Sequence, residues 1–385
     1  MQIRQVHIRK DLEMGALDPL LAIKPQVVLA FGNGKYFADY KLGARLREKF
    51  PDAIIVGCSS AGEIVDNAVY DGSLVITALA SATGKWRVIS TPLEDISQSR
   101  TTGEKLGREM ASFGPQSVFV IAPGLNINGG EMVDGIVSEL GANVTITGGL
   151  AGDGLNFAKT YTMVNEAVSN NQVIALGLVD PGMQVTYGTQ GGWNPFGPYR
   201  RVTRAKDNIL YELDNKPALE LYKNYLGDKA KDLPGAGLLY PLNVISNDKD
   251  ENSVVRSILA VDEATNSIML AGNVSEGYLV RLMHAKTDAL VDGARHASVD
   301  TAYGLAQGSD ANQSLGILVS CIGRKAVMGD DVNDEAAAVK DTFGPSSVIT
   351  GFYSYGEICP FSLSNKRSTL HNQTMTITRL TPKGA

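Results

Sequence analysis

Two segments far apart in the chain repeat one arrangement of a small hydroxyl side chain and a carboxylate after an apolar strand. Residues 57–64 read G-C-S-S-A-G-E-I and residues 351–358 read G-F-Y-S-Y-G-E-I, so both contain the pattern G-x-x-S-x-G-E-I. A looser version, G-G-L-A-G-D, occupies residues 148–153. A strand that ends in a glycine-rich turn holds such side chains at fixed offsets. Two interpretations follow: the turns meet and line one ligand cavity, or they recur because strand-to-turn geometry is limited.

The cavity interpretation predicts a specific set of pocket residues on these turns. The predicted ligand-pocket residues are Cys58, Ser59, Ser60, Gly62, Glu63, Asp153, Ser354 and Glu357. The carboxylates among them would pair with an amine or guanidine group of a ligand such as an amino acid. Structural ion pairs, and a buried inert cysteine, are the alternatives that these residue types leave open.

The serine turns lack the pattern of a hydrolase nucleophile. A nucleophile elbow has the form G-x-S-x-G, whereas the registers here are C-S-S-A-G and F-Y-S-Y-G. The chain also contains no G-x-x-x-x-G-K-[ST] phosphate loop and no H-E-x-x-H zinc motif. We therefore expect no catalytic residues and no enzymatic activity. A hydrolase-like enzyme built on Ser60 or Ser354 is the alternative from a different functional class.

Length, charge and cysteine content narrow the class of protein. A chain of 385 residues is longer than one hydrophobic core usually serves, which predicts two domains. The net charge of −6 argues against general binding to nucleic acid or to anionic membranes. The cysteines Cys58, Cys321 and Cys359 form no C-x-x-C pair, so we expect neither a disulfide framework nor a zinc site. Because no signal-peptide pattern and no membrane-length apolar run is present, we expect a cytoplasmic protein.

Short apolar runs alternate with helical patterns along the chain. In the first half we predict strands at 27–31, 53–56, 73–79, 86–90, 117–121 and 144–147, helices at 40–50, 103–111 and 131–140, and consecutive strands over 158–190. In the second half we predict strands at 254–261, 267–270, 316–319 and 347–350, and helices at 217–226, 285–305 and 334–343. The predicted fold class is α+β (mixed α/β): two packed halves with mainly antiparallel or mixed sheets, helices covering them, and a partial internal pseudo-repeat.

Several blocks of the sequence resemble the FIST family, in which an N-terminal and a C-terminal FIST domain are paired. The resemblance runs from about residue 27 to residue 378, and the blocks that carry it are residues 57–64, 148–154, 217–222, 255–259, 276–283, 320–324, 351–360 and 370–374. It implies a FIST N-terminal domain at 26–222, a FIST C-terminal domain at 223–365 and a C-terminal strand or tail at 366–385. It also implies a sensory module that binds a small ligand and reports to a separately encoded signalling partner.

The resemblance implies two classes of ligand. Some members are suggested to bind amino acids or similar metabolites. Stand-alone members include haem proteins that sense nitric oxide and regulate a histidine kinase, in two-component systems linked to biofilm behaviour. We expect haem b as the cofactor, nitric oxide as the signal and a histidine kinase as the partner, with a haem-free metabolite sensor as the alternative. A homodimer is compatible with both.

A haem site requires an axial ligand in an apolar slot, and the four histidines of the chain are the candidates for that ligand. His7 and His296 fit a terminus and a solvated helix face. His284 follows an apolar run that leads into a helix, so we predict it as the axial, metal-binding ligand. His371 lies in one of the family blocks and is the second candidate.

The remaining predicted cofactor contacts are aromatic rings and guanidinium groups. Phe352, Tyr353 and Tyr355 would stack on a porphyrin or enclose an amino acid. Arg256 and Arg324 would grip a haem propionate or another carboxylate, because guanidinium forms bidentate hydrogen bonds. Core packing and structural ion pairs are the alternatives for these five residues.

Overall fold

Three copies of one β-α-β repeat make up most of the molecule, and a further antiparallel unit is inserted into the third copy. This organisation comes from a computed structural model that describes residues 1–246, 253–303, 305 and 313–383. We call the three repeats the body and residues 194–284 the insert. The prediction of a mixed α/β fold with helix-covered sheets is confirmed.

The first two repeats follow each other without interruption. The first contains β1 (Gln2–Ile8), α1 (Asp18–Leu21), β2 (Val27–Gly32), α2 (Leu42–Lys49), β3 (Ile54–Ser59), β4 (Glu63–Val65), β5 (Ala68–Tyr70) and β6 (Leu74–Ala80). The second contains β7 (Lys85–Pro92), α3 (Ser99–Ala111), β8 (Ser117–Ala122), α4 (Gly129–Leu140), β9 (Thr145–Leu150), β10 (Thr162–Val164), β11 (Ala167–Ser169) and β12 (Gln172–Val179).

The third repeat is split by the insert. It begins with β13 (Met183–Gln190). The insert then contributes β14 (Asn194–Lys206), β15 (Ile209–Leu213), β16 (Lys216–Pro217), α5 (Ala218–Leu226), β17 (Leu242–Ile245), β18 (Val254–Arg256), β19 (Ile258–Asp262), β20 (Ser267–Leu270) and β21 (Leu279–His284). The repeat resumes with α6 (Thr287–Asp300), β22 (Leu315–Cys321), α7 (Ile322–Met328), α8 (Asn333–Phe343), β23 (Val348–Ser354), β24 (Glu357–Pro360), β25 (Ser368–His371) and β26 (Met375–Pro382).

Each repeat donates a hairpin to the sheet of another repeat. The three six-stranded sheets have the orders β1-β6-β2-β3-β10-β11, β7-β12-β8-β9-β24-β25 and β13-β26-β22-β23-β4-β5. In each sheet the third and fourth strands form a parallel pair and the last two strands come from another repeat. The insert forms the fourth sheet, with the order β18-β17-β21-β14-β15-β20-β19 and β16 beside β15. The exchange is cyclic, so all three repeats are interlocked.

The inner faces of the three body sheets share one central core. Its apolar residues come from all three parallel pairs, for example Phe31, Ile121 and Val319. The outer faces are covered by helices, and the insert has a separate core around α5. Strands buried on both faces read as continuous apolar runs, which is why the central strands were evident in the sequence.

A glycine in each parallel pair permits close contact with the neighbouring strand. A Cβ atom added at these glycines would lie about 2 Å from a backbone oxygen of the paired residue. The three contacts are Gly57 with Ala30 (2.0 Å), Gly148 with Val120 (1.9 Å) and Gly351 with Leu318 (2.0 Å). The same contact therefore occurs once in every repeat, immediately before the strand enters its turn.

The predicted boundary between residues 222 and 223 falls within α5, inside the insert. The body thus contains residues from both predicted domains, because the insert interrupts the third repeat. The predicted strand 254–261 is divided into β18 and β19, with Ser257 between them. No helix in the described part of the chain is both long and apolar enough to cross a membrane.

Replacing Gly351 with alanine tests the close contact. We expect Gly351→Ala to lower the free energy of unfolding by about 3 kcal/mol, since the added methyl group must displace backbone. Gly15→Ala is the matched control, because a Cβ atom there meets no atom within 4 Å. Urea denaturation of both variants measures the difference, and equal stability of the two would contradict the contact.

Candidate functional site

The three glycine-rich turns meet at one end of the body. Their backbones are joined by hydrogen bonds from Ala61 N to Tyr353 O (2.9 Å), from Gly152 N to Ser59 O (3.0 Å) and from Leu150 N to Gly356 O (2.8 Å). The predicted convergence of the turns is therefore present. Among the described residues the three turns contact each other directly and do not enclose the predicted cavity, although Leu150 and Tyr355 line a cavity beside them. This corrects the pocket inferred from the sequence repeat.

In the first turn, the Ser60–Glu63 pair closes a buried hydrogen-bond network. The Ser60 hydroxyl donates to Glu63 Oε1, and Glu63 Oε2 accepts hydrogen bonds from Ser73 N (2.8 Å) and Ser73 Oγ (2.7 Å). Burial raises the pKa of the Glu63 carboxyl, although these hydrogen bonds act in the opposite direction. Both predicted pocket residues are thus engaged in holding the turn.

The third turn repeats the network with equivalent residues. Ser354 Oγ donates to Glu357 Oε1 (2.7 Å), and Glu357 Oε2 accepts from Thr374 N (3.1 Å) and Thr374 Oγ1 (3.0 Å). Burial raises the pKa of Glu357 to about 7. The serine hydroxyls donate to carboxylates in both turns, an arrangement that organises a turn rather than activating a nucleophile.

Three other predicted pocket residues also make contacts within the protein and not with a cavity. Cys58 lies in the central core, and burial raises its pKa well above the ordinary value. Ser59 Oγ accepts a hydrogen bond from Tyr161 N (2.8 Å). A Cβ atom at Gly62 would lie 2.7 Å from Lys325 Nζ, so this glycine makes room for a lysine of the third repeat.

The three aromatic residues of the third turn have different environments. Phe352 is buried in the central core, where its ring centroid lies 4.8 Å from that of Phe31. Tyr353 is also buried, and its hydroxyl donates to Glu335 Oε1. Tyr355 alone of the three reaches a cavity, and its ring stacks on Phe157 at 4.5 Å. The structure therefore supports a ligand contact for Tyr355 and places the other two in the core.

The two predicted carboxylate-binding arginines also differ. Arg324 is fully buried and bound to Glu335, with Nη2 and Nε 2.7 and 3.0 Å from Oε2. Its Nη2 also donates to Leu290 O (2.8 Å), so Arg324 connects α6, α7 and α8 and is not available to a ligand. Arg256 belongs to the insert and donates from Nη1 to Leu370 O (2.9 Å) in the body.

The histidines separate into buried and accessible groups. His371 is buried, contacts Cys359 O through Nε2 (3.1 Å) and has a pKa lowered by burial to about 4. This environment gives His371 a structural role in place of the predicted axial one. His284 lies at the end of β21 and lines a cavity together with Phe196, whose ring is 6.2 Å away. His7 contacts Tyr70 and His296 is exposed on α6.

An apolar cleft separates the body from the insert. Its inner chamber, of about 230 Å³, is lined by Gly124, Leu125, Ile127, Gly129, Leu150, Phe157, Cys321, Ile322 and Tyr355 of the body and by Leu238, Ser257, Leu259, Ala260, Met269 and Ala271 of the insert. An outer chamber of about 410 Å³ shares Phe157, Leu238 and Leu259 with it. The cavity of His284, about 370 Å³, shares Leu239 and Ala326 with the outer chamber. The three cavities therefore adjoin along the boundary between body and insert.

Asp153, on the second turn, shapes one wall of this cleft. Its carboxylate accepts hydrogen bonds from Phe157 N (2.9 Å), Ala158 N (2.9 Å) and Lys159 N (2.8 Å), and from the hydroxyl of Tyr355. These bonds fix the loop that presents Phe157, 38% exposed, to the cleft. Asp153 therefore positions the apolar side chain of Phe157 and does not itself offer a free carboxylate.

Both halves of the family resemblance are matched by family models. The FIST N domain model matches residues 26–216 and the FIST C domain model matches residues 218–360. The chain belongs to the FIST family. FIST domains are generally domains that sense small ligands.

Individual relatives of this FIST protein are distant. The uncharacterized protein MJ1623 of Methanocaldococcus jannaschii is 26% identical over 211 residues, which is 51% of this chain and 38% of that protein. A cyanuric acid hydrolase from A. caulinodans is similar over 99% of both chains, with a TM-score of 0.42 and 9% identity. Another cyanuric acid hydrolase has a TM-score of 0.34 and 12% identity, again over 99% of both chains. These values describe weak similarity of fold and assign no activity.

The sequence alone did not reveal most of the FIST cleft. Its walls are apolar residues from both units, such as Leu259 of the insert and Phe157 of the body, which are 43% and 38% exposed. No motif marks them. The one available signal was Ser257, a small polar residue inside the apolar run 254–261 and within one of the family blocks.

The buried Glu357 predicts a pH-dependent contribution to stability. A pKa of about 7, above the ordinary 4.5, means that the folded state binds this proton more tightly than the unfolded state. The contribution is complete below the unfolded pKa and is lost as pH rises through about 7. We expect wild type to lose about 2 kcal/mol relative to Glu357→Gln between about pH 5 and pH 8.

Chemical denaturation at several pH values measures this difference. Glu13→Gln is the control, because Glu13 is exposed. A stability difference between wild type and Glu357→Gln that stays constant with pH would refute the assignment.

Proposed function

We propose that this protein senses a small, largely apolar ligand in the cleft, and that binding shifts the insert relative to the body. The observation that carries this proposal is unfilled apolar surface on both walls. Leu259 and Met269 of the insert and Phe157 of the body remain between 38% and 43% exposed although they face the same cleft. A ligand that covers these side chains removes apolar area from water and stabilises one arrangement of the two units.

Side-chain hydrogen bonds join body and insert around the cleft. Asn128 Nδ2 donates to Asn273 Oδ1 (3.0 Å), and Asn273 Nδ2 donates to Glu131 Oε1 (2.9 Å). Gln373 Nε2 donates to Leu238 O (2.9 Å) on the insert side. Polar interfaces of this kind permit relative movement of the units, so a ligand that contacts both walls can change their equilibrium.

Filling the cleft tests the location of the ligand. We expect Leu259→Trp to reduce the fluorescence of bound anilinonaphthalene sulfonate by about fivefold or more, because the indole occupies apolar volume that the dye requires. Leu21→Trp is the matched control, since Leu21 is 41% exposed on α1 and does not line the cleft. Equal dye binding by the two variants would count against the cleft.

The more specific proposal is that haem b binds at the His284 end of the cleft. His284 lies there among Phe196, Leu239, Tyr240 and Val327, which fits the need of haem for an imidazole beside apolar and aromatic surface. Haem iron, when bound, would supply the site that binds nitric oxide. His284 would hold the iron, and the aromatic rings would flank the porphyrin. Among described residues, no group of three or more His, Cys, Asp or Glu side chains is arranged as a separate metal site.

Lys229 offers a charge for the haem carboxylates at the same end. Its Nζ donates to the hydroxyl of Tyr240, which lines this cavity, and lies 5.0 Å from the centre of that ring. Signalling to a separately encoded histidine kinase would then follow movement of the insert. A metabolite sensor without haem is the alternative, and the apolar inner chamber favours it because His284 does not line that chamber.

Reconstitution with haemin separates these two possibilities. We expect wild type to give a sharp Soret band that shifts when nitric oxide is added to the reduced protein, and His284→Ala to lose that band. His296→Ala should behave as wild type, because His296 is an exposed residue of α6. A broad spectrum like that of free haemin from all three proteins would reject haem and favour the metabolite sensor.

A further inference from the structure

We propose that the inner chamber recognises a carboxylate on an apolar ligand, through the hydroxyl of Ser257 and the positive charge of Arg256. The inference rests on the ligand-binding role proposed for the cleft and does not depend on haem. It comes from two adjacent insert residues: the Ser257 hydroxyl and Arg256 Nε have no described hydrogen-bond partner, and no described carboxylate pairs with Arg256.

Ser257 presents a buried hydroxyl to the chamber. It lies between β18 and β19, is 3% exposed and lines the inner chamber. Its Oγ atom has no hydrogen-bond partner among the described residues. Buried hydroxyls are ordinarily paired, since loss of the hydrogen bond to water is otherwise uncompensated. A ligand in the chamber would supply the missing partner.

Arg256, the residue before Ser257, carries a buried positive charge with which no described carboxylate pairs. It is 7% exposed. In the described part of the chain, no carboxylate oxygen lies within 4.0 Å of its guanidinium nitrogens, the distance that defines an ion pair. Its Nη1 donates to Leu370 O (2.9 Å) and Asn372 Oδ1 (3.5 Å), which are both neutral, while Nε has no described partner. A buried charge is costly unless an opposite charge pairs with it.

Asp134, the acidic residue that acts on the pKa of Arg256, already forms an ion pair with another arginine. Burial lowers the pKa of Arg256 to about 10, and Asp134 opposes this effect. Asp134 itself forms an ion pair with Arg367, at 2.6 Å. The charge of Arg256 is therefore not neutralised by an ion pair with a described carboxylate, and a positive charge next to Ser257 in the chain favours a ligand that carries an anion.

The wall is built to accommodate this guanidinium. A Cβ atom at Gly272 would lie 2.7 Å from Arg256 Nε and 2.8 Å from Cζ, so the arginine occupies the space that a side chain would need. Gly272 follows Ala271, which lines the chamber, and Ala271 N donates to Ser257 O (2.9 Å). The guanidinium thus packs against Gly272, which follows a residue of the chamber lining, while the Ser257 hydroxyl lies in the lining itself.

The rest of the chamber selects an apolar body for the ligand. Leu125 and Ile127 form the opposite wall, and Met269 lies on the insert side. Asp153, the acidic residue nearest to Tyr355, is saturated by backbone N–H groups and the tyrosine hydroxyl. The chamber consequently offers a partner for a carboxylate and apolar surface for a chain or ring, but no free acidic group for an amine.

A carboxylate on an apolar body occurs both in free organic acids and in the propionates of haem. Decanoate and haemin distinguish the two sources, with decanoate methyl ester as the uncharged control. Binding is measured by calorimetry for the decanoate pair and by absorption for haemin. The proteins are wild type, Ser257→Ala and Thr381→Val. Thr381 is the matched control, since it is fully buried in β26 and its hydroxyl likewise has no described partner.

We expect decanoate to bind wild type and the methyl ester to bind at least about tenfold more weakly, because a hydrogen bond to a charged group is lost. Ser257→Ala should weaken decanoate by a similar factor and Thr381→Val should leave its affinity unchanged. If haemin affinity falls in Ser257→Ala while decanoate does not bind, the carboxylate is that of haem. If Ser257→Ala changes neither ligand, or if the ester binds as well as the acid, carboxylate recognition is overturned.

The dye experiment on Leu259→Trp remains independent of this outcome. Anilinonaphthalene sulfonate reports occupancy of the cleft, whereas the decanoate and ester pair reports recognition of the carboxylate. Loss of dye binding in Leu259→Trp together with unchanged ligand binding in Ser257→Ala would retain the cleft and reject the carboxylate. Arg256→Met is a second variant that should lower decanoate affinity at least as strongly as Ser257→Ala, provided that thermal unfolding shows it to be folded.

Discussion

The exchange of hairpins between repeats is the constraint on which the rest of this structure depends. Each body sheet takes four strands from its own repeat and two from another, so no repeat completes a sheet alone. After the second strand of each parallel pair, the chain must pass directly to the sheet that receives its hairpin. Three strand ends and their turns are therefore brought to one place. The close contacts at Gly57, Gly148 and Gly351 lie just before those ends and allow the strands to pack at that density.

Departures from this three-fold arrangement create the cleft. Between the second parallel strand and the following hairpin, the first and third repeats use the short turns that hold Glu63 and Glu357. The second repeat has a longer connection from Leu150 to Thr162, which Asp153 organises. The third repeat carries the insert after β13. The cleft lies between these two additions. Its walls are apolar and leave space between them, whereas the turns that the repeats share contact each other directly.

The sequence predicted those features that depend on local pattern. Apolar runs identified the central strands, and the recurrence of Ser60–Glu63 as Ser354–Glu357 identified equivalent turns that do converge. It did not predict that the hydroxyl and carboxylate of each pair satisfy one another, because pairing depends on burial and on the later residues Ser73 and Thr374. The cleft was also beyond sequence reasoning. Its walls are apolar residues from two units, and apolar residues in isolation do not show whether they face a core or a ligand.

The position of the insert explains how binding in the cleft would become a signal. The body is interlocked by strand exchange, whereas the insert leaves and rejoins it between β13 and α6. Near the cleft, hydrogen bonds of Asn273, Leu238 and Arg256 join the insert to the body. A ligand between Ile127 and Met269 contacts both units at once. Its binding free energy therefore differs between arrangements of the insert, and that difference is the quantity by which any ligand shifts a conformational equilibrium. Because the insert lies outside the strand exchange, such a response would fall on the insert, and the surface presented to a partner would change without loss of the core.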